Sequence, residues 1–224
     1  MIPLPTLFED DDLLIVDKPA GIVVHPTYRN PDGTLLDAIA MRGERPSVVG
    51  RLDKFTSGIV LIAKRPAVHA ALQRALTSAA SEKIYLTVVR GAAEEAGSIA
   101  LPLASDPADR RRRVVSSDGA PSVTVFERLG TGALDGSSVS RLRCRLVTGR
   151  RHQIRVHLAA RGWPVLGDLV YGEPLDGFPR LALHAWHLAF DHPSSGGRVA
   201  VTCPPPSELG ALLARCGFPV TQSS

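Results

Sequence analysis

From Ser140 to Leu146 apolar and basic residues alternate without a break: Leu142, Cys144 and Leu146 fall on one side, Arg141, Arg143 and Arg145 on the other. Successive side chains of a strand point to opposite faces. The stretch therefore reads as a half-buried strand with a basic outer face, and the rest of the chain must cover its apolar side. Leu13–Val16, Gly58–Ala63, Lys83–Val89, Ser122–Arg128 and Leu181–Phe190 read as further strands. Val68, Ala71, Leu72, Ala75 and Leu76 recur at helical spacing behind Pro66, which suits a first helical turn. His152–Ala160 fits a short helix stopped by Gly162. Glu208–Arg215 fits another, with Leu209, Leu212 and Leu213 inward and Gly217 as its stop. Gly33–Ala40 suits a short helix or extended chain equally. Ala104–Asp118 reads as a loop or exposed ribbon, and Gly130–Ser138 as a turn-rich connector. Strands and helices mix without a regular βαβ rhythm and without an internal repeat. The expected class is α+β, with a sheet at its centre.

The 224 residues suit one domain, or one domain with an appended lobe, and the 44% hydrophobic content suffices for a core. A net charge of +4 permits a polyanionic partner without demanding one. Its placement says more. Arg110–Arg113 form a run of four, and Arg141, Arg143, Arg145, Arg150, Arg151 and Arg155 follow closely. Such clusters line phosphate-binding surfaces or simply face water. Cys144, Cys203 and Cys216 are odd in number and widely spaced, which fits a reducing compartment better than a disulfide framework. Met1–Glu9 lacks a basic start before an apolar run, and no stretch reaches the ~18 apolar residues of a membrane span. The expectation is a soluble, cytoplasmic protein without a membrane partner, acting as a monomer.

Phosphate loops, dinucleotide fingerprints, HExxH and GxSxG elbows are all absent from the sequence. His184, His187 and His192 with Cys203 match no standard metal spacing, and His184 and His187 would face opposite sides of a strand. Asp53 stands between structured segments with Arg51 two residues before it, which suits a nucleophile or base, a helix cap or a surface ion pair. Thr148-Gly149-Arg150-Arg151-His152-Gln153-Ile154-Arg155 sets three arginines at a strand-to-helix junction, where phosphate or a buried carboxylate would find a partner.

Six elements in order make the sequence recognisable. Asp17–Pro26 carries a KPxG turn. Gly50-Arg51-Leu52-Asp53-Lys54-Phe55-Thr56-Ser57-Gly58 is similar to an HRLDxxTSG signature. Lys83-Ile84-Tyr85 fits KxY, Thr148–His157 fits TGRxHQIRxH, and Gly167–Gly172 fits GDxxYG. Leu183-His184-Ala185 with His192-Pro193 match late LHA and HP elements. The chain resembles the RNA pseudouridine synthases that modify bacterial ribosomal and transfer RNA, over nearly its whole length.

The resemblance implies one catalytic domain over 1–224, a mainly antiparallel bent sheet flanked by helices, and no cofactor or metal. It implies isomerisation of a specific uridine in a ribosomal or transfer RNA stem-loop. Asp53 becomes the nucleophile, and Tyr85 the ring that stacks on uracil and helps move the C5 proton. Arg155 becomes the partner that holds Asp53 ionised, with Arg150 as rival for that role or as a phosphate contact. Arg51 fills the stack vacated by the flipped nucleotide, and Leu183 forms an apolar wall beneath the base. Two departures stand out. Gly50 occupies the usual histidine position, which predicts a looser local backbone. The S4-like domain that many relatives carry in front is not present in this sequence. A non-catalytic RNA binder, a ribosome-associated structural protein and a glycosidase pairing Asp53 with Asp168 are the competing classes.

Overall fold

A computed structural model describes residues 4–26, 28, 30–40 and 45–219. The first three residues of the Met1–Glu9 stretch lie outside them. In chain order the elements are β1 (Thr6–Glu9), β2 (Leu13–Lys18), α1 (Leu35–Ile39), β3 (Ser47–Val49), β4 (Ser57–Ala63), α2 (Pro66–Thr77), β5 (Glu82–Arg90), β6 (Ala96–Ile99), β7 (Leu103–Ser105), β8 (Arg113–Val115), β9 (Thr124–Leu134), β10 (Ser137–Leu146), α3 (Gln153–Ala160), β11 (Leu183–Asp191), β12 (Arg198–Thr202) and α4 (Ser207–Arg215). They form two compact units, Met1–Lys83 with Ala185–Cys203, and Ile84–His184 with Pro204–Ser224. The class is α+β, with antiparallel strands flanked by helices. No helix among the described residues is long and apolar enough to cross a membrane.

The first unit grows from two apolar strands. Leu13, Leu14, Ile15 and Val16 are fully buried, and all of β4 is buried beside them in antiparallel register from Leu13↔Ala63 to Lys18↔Gly58. Asp10 Oδ1 accepts the N–H groups of Asp12 (2.8 Å) and Leu13 (2.9 Å), which turns the chain from β1 into β2. Gly33–Ala40 resolves as a helix because Thr34 and Asp37 form a reciprocal capping box, satisfying orphan donors of α1. Gly58 has φ +107°, and a β-carbon there would sit 2.2 Å from the Ala185 carbonyl oxygen. Only glycine allows that approach.

Two polar anchors hold this unit. Lys18, at the end of β2, is fully buried, and its ammonium donates to the carbonyls of Pro19 (2.9 Å), Ile22 (3.0 Å) and Lys54 (3.3 Å). The Gly21 N–H reaches the same Lys54 carbonyl at 2.8 Å. The second anchor ties residues far apart in sequence. Asp12 accepts from the Arg65 guanidinium and from the Ser194 hydroxyl. His192 Nδ1 accepts the N–H groups of Ser194 (3.1 Å) and Ser195 (3.2 Å), and its Nε2 lies 3.0 Å from the Asp10 carboxylate. The HP element is thus a turn fastened to the acidic start of β2.

In the second unit β10 pairs with β5 and with β9, and β9 pairs with β6. Leu142, Cys144 and Leu146 are buried, as their alternation requires. The arginine face is less open than expected. Arg145 is exposed and Arg143 pairs with Glu127, but Arg141 is half-buried beside Leu86, Val88, Leu209 and Leu213, so α4 covers part of it. The connector expected at Gly130–Ser138 is a hairpin. β9 runs to Leu134, and Asp135-Gly136, both with positive φ, make the two-residue turn. Gly130 and Gly132 both belong to β9, and the end of α4 lies close against Gly132. The Cys216 carbonyl accepts the Ala133 N–H at 3.2 Å, and a β-carbon at Gly132 would meet it at 2.1 Å. Ala104–Asp118 contains the two-stranded ribbon β7–β8. All three cysteines are buried packing residues, and burial pushes the Cys144 thiol up to about 12.

Both anchors are testable. Lys18→Met leaves buried carbonyls without their donor, and urea unfolding should register a loss of about 3 kcal/mol. The Ser194 and Arg65 hydrogen bonds hold the Asp12 carboxyl below its ordinary 3.8. A depressed folded-state value contributes stability above the unfolded value, lost as pH falls through the folded one. Asp12→Asn should therefore lower Tm at neutral pH, and the gap to wild type should close as the pH falls below 3.8.

Candidate active site

In the first unit Asp53 is displayed by a turn fixed on both flanks. Leu52 is buried beneath it, and the Thr56 N–H closes on the Asp53 carbonyl at 3.1 Å. The next carbonyl, that of Lys54, is the one gripped by Lys18 and Gly21. β4 follows directly, so Asp53 is not a helix cap. Its side chain is half-buried, while Arg51 is exposed. The Lys54 ammonium reaches Asn30 Oδ1 at 3.2 Å and lies 5.6 Å from the centre of the Phe55 ring. Burial and the Arg51 charge push His25 below its ordinary value. Gly50 holds a left-handed φ of +79°, and a β-carbon there would lie 3.8 Å from Leu76 Cδ1. Backbone conformation, not space, opposes a histidine at this position.

In the second unit Tyr85 on β5 is half-buried opposite Cys144 of β10, and Leu183, first residue of β11, is buried. Arg150 is exposed, with Nε 3.4 Å from the Pro121 carbonyl. Arg155 is buried in α3 and grips the fully buried Asp168 through two bonds of 2.7 Å, Nε to Oδ2 and Nη2 to Oδ1. Asp168 also accepts the N–H groups of Val170 (2.9 Å) and Tyr171 (3.2 Å). Burial raises the Asp168 carboxyl, but the Arg155 bonds and charge, with these N–H groups, outweigh it and hold it below the ordinary carboxylate value. A carboxylate so occupied is no general acid, which removes the paired-carboxylate glycosidase. The buried-carboxylate alternative for the arginine segment is thus realised at Arg155.

Three residues of the recognised elements to which the sequence assigned no role fasten the second unit. Gln153 is buried and clamps the entry to α3. Its Oε1 accepts from the Thr148 hydroxyl (2.7 Å) and the Arg150 N–H (3.0 Å), and its Nε2 donates to the Val123 carbonyl and Thr124 Oγ1, both at 3.0 Å. His157 is fully buried between Thr124 Oγ1 and the Leu101 carbonyl, each at 2.9 Å, and burial lowers its pKa. Tyr171 meets residues of β8, α3 and the loop between β7 and β8. Lys18 was visible as part of KPxG, and its place at the end of a run buried on both faces was the available signal. Among the histidines, His184 is buried whereas His187 meets Thr202 at an exposed position.

Residues 12–160 match the RNA pseudouridylate synthase family. The chain is 40% identical over 235 residues to the ribosomal large subunit pseudouridine synthase D of Xanthomonas campestris pv. campestris, covering 95% of this chain and 69% of that protein. It is also 40% identical to the enzyme of the same name from Nitrosomonas europaea, over 95% of this chain and 65% of that protein. The chain thus spans about two thirds of the length of these relatives. The solved structure of human RNA pseudouridylate synthase domain containing 1 superposes with a TM-score of 0.75 at 28% identity, covering 93% of this chain and 87% of that one. A family match across most of the chain, these identities and the shared fold agree with the fixed turn that displays Asp53: the chain belongs to the RNA pseudouridylate synthase family.

Proposed function

We propose that the protein isomerises a uridine of structured RNA, large-subunit ribosomal RNA first among the candidates, with Asp53 as its nucleophile. The observation that carries this is the Asp53 turn, whose backbone is held by Lys18, Gly21 and Thr56 inside the segment that matches the family. A nucleophile gains from a fixed approach, and this turn supplies one without secondary structure at Asp53 itself. The names of the relatives, ribosomal large subunit pseudouridine synthases, favour ribosomal RNA over transfer RNA.

The reaction breaks the bond between uracil N1 and ribose C1′, rotates the base and joins C5 to C1′. The C5 proton leaves and N1 gains one, so the balance needs no redox partner. Asp53 acts at the sugar or assists departure of the base. Tyr85 stacks on uracil, and its hydroxyl helps to move the C5 proton. Arg155, oriented by Asp168, is assigned as the cationic partner of the nucleophile. Arg150, exposed where Arg155 is buried, suits a phosphate contact. Arg51 enters the stack vacated by the flipped nucleotide, which costs a few kcal/mol to extrude, and Leu183 forms an apolar wall for the base. Soluble, cytoplasmic action as a monomer completes the reading.

Tritium release from RNA labelled at uridine C5 tests it. Asp53→Asn should remove turnover while circular dichroism and RNA binding stay at wild-type values; turnover within about tenfold of wild type would exclude Asp53 as nucleophile. Tyr85→Phe should lower the rate by about 100-fold or more with RNA affinity retained. Carbodiimide mapping of stable RNA in cells with and without the gene should reveal one or a few lost sites in ribosomal RNA. Loss confined to messenger RNA would defeat the substrate assignment.

A further inference from the structure

Tyr171 is the meeting point of three segments. Its hydroxyl oxygen accepts the N–H of Arg113, at the start of β8, at 2.7 Å. The same oxygen lies 2.9 Å from Nδ1 of His152, the residue that precedes α3. Its ring carries two guanidinium groups, Arg155 at 5.1 Å and Arg112 at 5.6 Å from the centroid. A second tie runs in parallel, because Arg151 donates to the carbonyls of Arg110 (3.4 Å) and Arg111 (3.1 Å). The Arg110–Arg113 run is thereby fastened to the first turn of α3, the helix that carries Arg155.

The backbone at this junction is under strain. His152 has φ +57°, a left-handed conformation that an ordinary side chain adopts at a cost of about 1–2 kcal/mol. Such a conformation persists where surrounding contacts over-determine it, and the Tyr171 hydroxyl is one of those contacts. The ribbon's cations are meanwhile arranged rather than free. Arg111 forms a bidentate pair with Asp109, and Arg112 lies 3.8 Å from Asp106, yet the Arg111 side chain stays 74% exposed.

A mobile loop of arginines supplies RNA affinity without register, whereas chemistry at one uridine needs placement to within about 1 Å. We propose that Tyr171 is a positioning residue that fixes the basic β7–β8 ribbon, and the RNA phosphates it grips, at a set offset from Arg155. The inference rests on the RNA-pseudouridylation reading and extends it to how the substrate backbone is registered.

Tyr171→Phe is the discriminating variant, since it keeps the ring and both cation contacts and removes only the hydroxyl. Hydrogen exchange resolved at the Arg113 amide should accelerate by about tenfold or more in the free protein. With an in vitro transcript of bacterial large-subunit ribosomal RNA, KM should rise by about tenfold while kcat stays within about twofold. Tyr171→Leu should in addition lower kcat, because Arg155 loses the ring. Substituting Arg112 by Ala should raise KM in the wild type and add little in the Tyr171→Phe background. Faster Arg113 exchange with unchanged KM would overturn the proposal, leaving a merely structural tie, and unchanged exchange would overturn it outright. If the wild type forms no pseudouridine, the functional reading fails instead. Equal transcript affinity of wild type and Tyr171→Phe by filter binding would then still reject the registering role, and a weakened affinity would uphold it.

Discussion

Asp168 is fully buried with a full charge, and much of the second unit is arranged so that it can be. Moving a carboxylate and a guanidinium out of water costs several kcal/mol per ion, recovered only when geometry and remaining hydrogen bonds are good. Here the geometry is two parallel bonds to Arg155, and the remaining acceptor capacity goes to the N–H groups of Val170 and Tyr171. This arrangement dictates the tight turn after Asp168, sets Tyr171 beside Arg155, and fixes the rotamer of a buried helical arginine. Replacing the pair by apolar residues could pack as well, but would leave no oriented cation. The pair is understood best as an investment in direction rather than in stability.

The first unit solves a similar problem differently. Lys18 buries an ammonium against peptide carbonyls, each carrying only a partial charge. The ammonium has no planar fork, so it gathers oxygens from different directions. That suits its place where the KPxG turn and the Asp53 turn converge. In the first unit a buried cation organises irregular backbone next to Asp53; in the second the buried cation, Arg155, is itself the residue proposed for the chemistry.

Periodicity made much of this legible in advance. β10 and α4 bury the residues that their spacing selects, because one face meets a core and the other does not, whereas α2 buries Leu72 and leaves Val68, Ala71, Ala75 and Leu76 half-buried. The failures have a common physical origin. Gly130 and Gly132 look like turn residues, but both lie within β9, and Gly132 is a glycine because the Cys216 carbonyl at the end of α4 leaves no room for a β-carbon, a contact across more than eighty residues. β3, β6 and β12 are three to five residues long, too short for alternation to separate them from loop. Asp53 shows the same limit at the site. Its residue type and neighbours left nucleophile, cap and ion pair open, and only the order of the sequence elements raised the first. What the sequence could not disclose was the scaffold behind it, since Lys18 reaches Lys54 across thirty-six positions and Tyr171 reaches Arg113 across fifty-eight.

The tie between Asp12 and Ser194 spans 182 positions, and it has a temporal meaning. The strands β11 and β12 that complete the first unit are made only after the intervening Ile84–His184 segment of the second unit, so an emerging polypeptide carries the Asp53 turn long before its supporting unit can close. Contacts of such separation pay their loop-closure entropy late and fold slowly. During synthesis the apolar runs of β2 and β4 therefore emerge as a hairpin-like pair without its final neighbours, a state in which exposed strand edges invite chaperones. The first unit is thus completed only when Ala185–Cys203 has followed the intervening second-unit segment out of the ribosome.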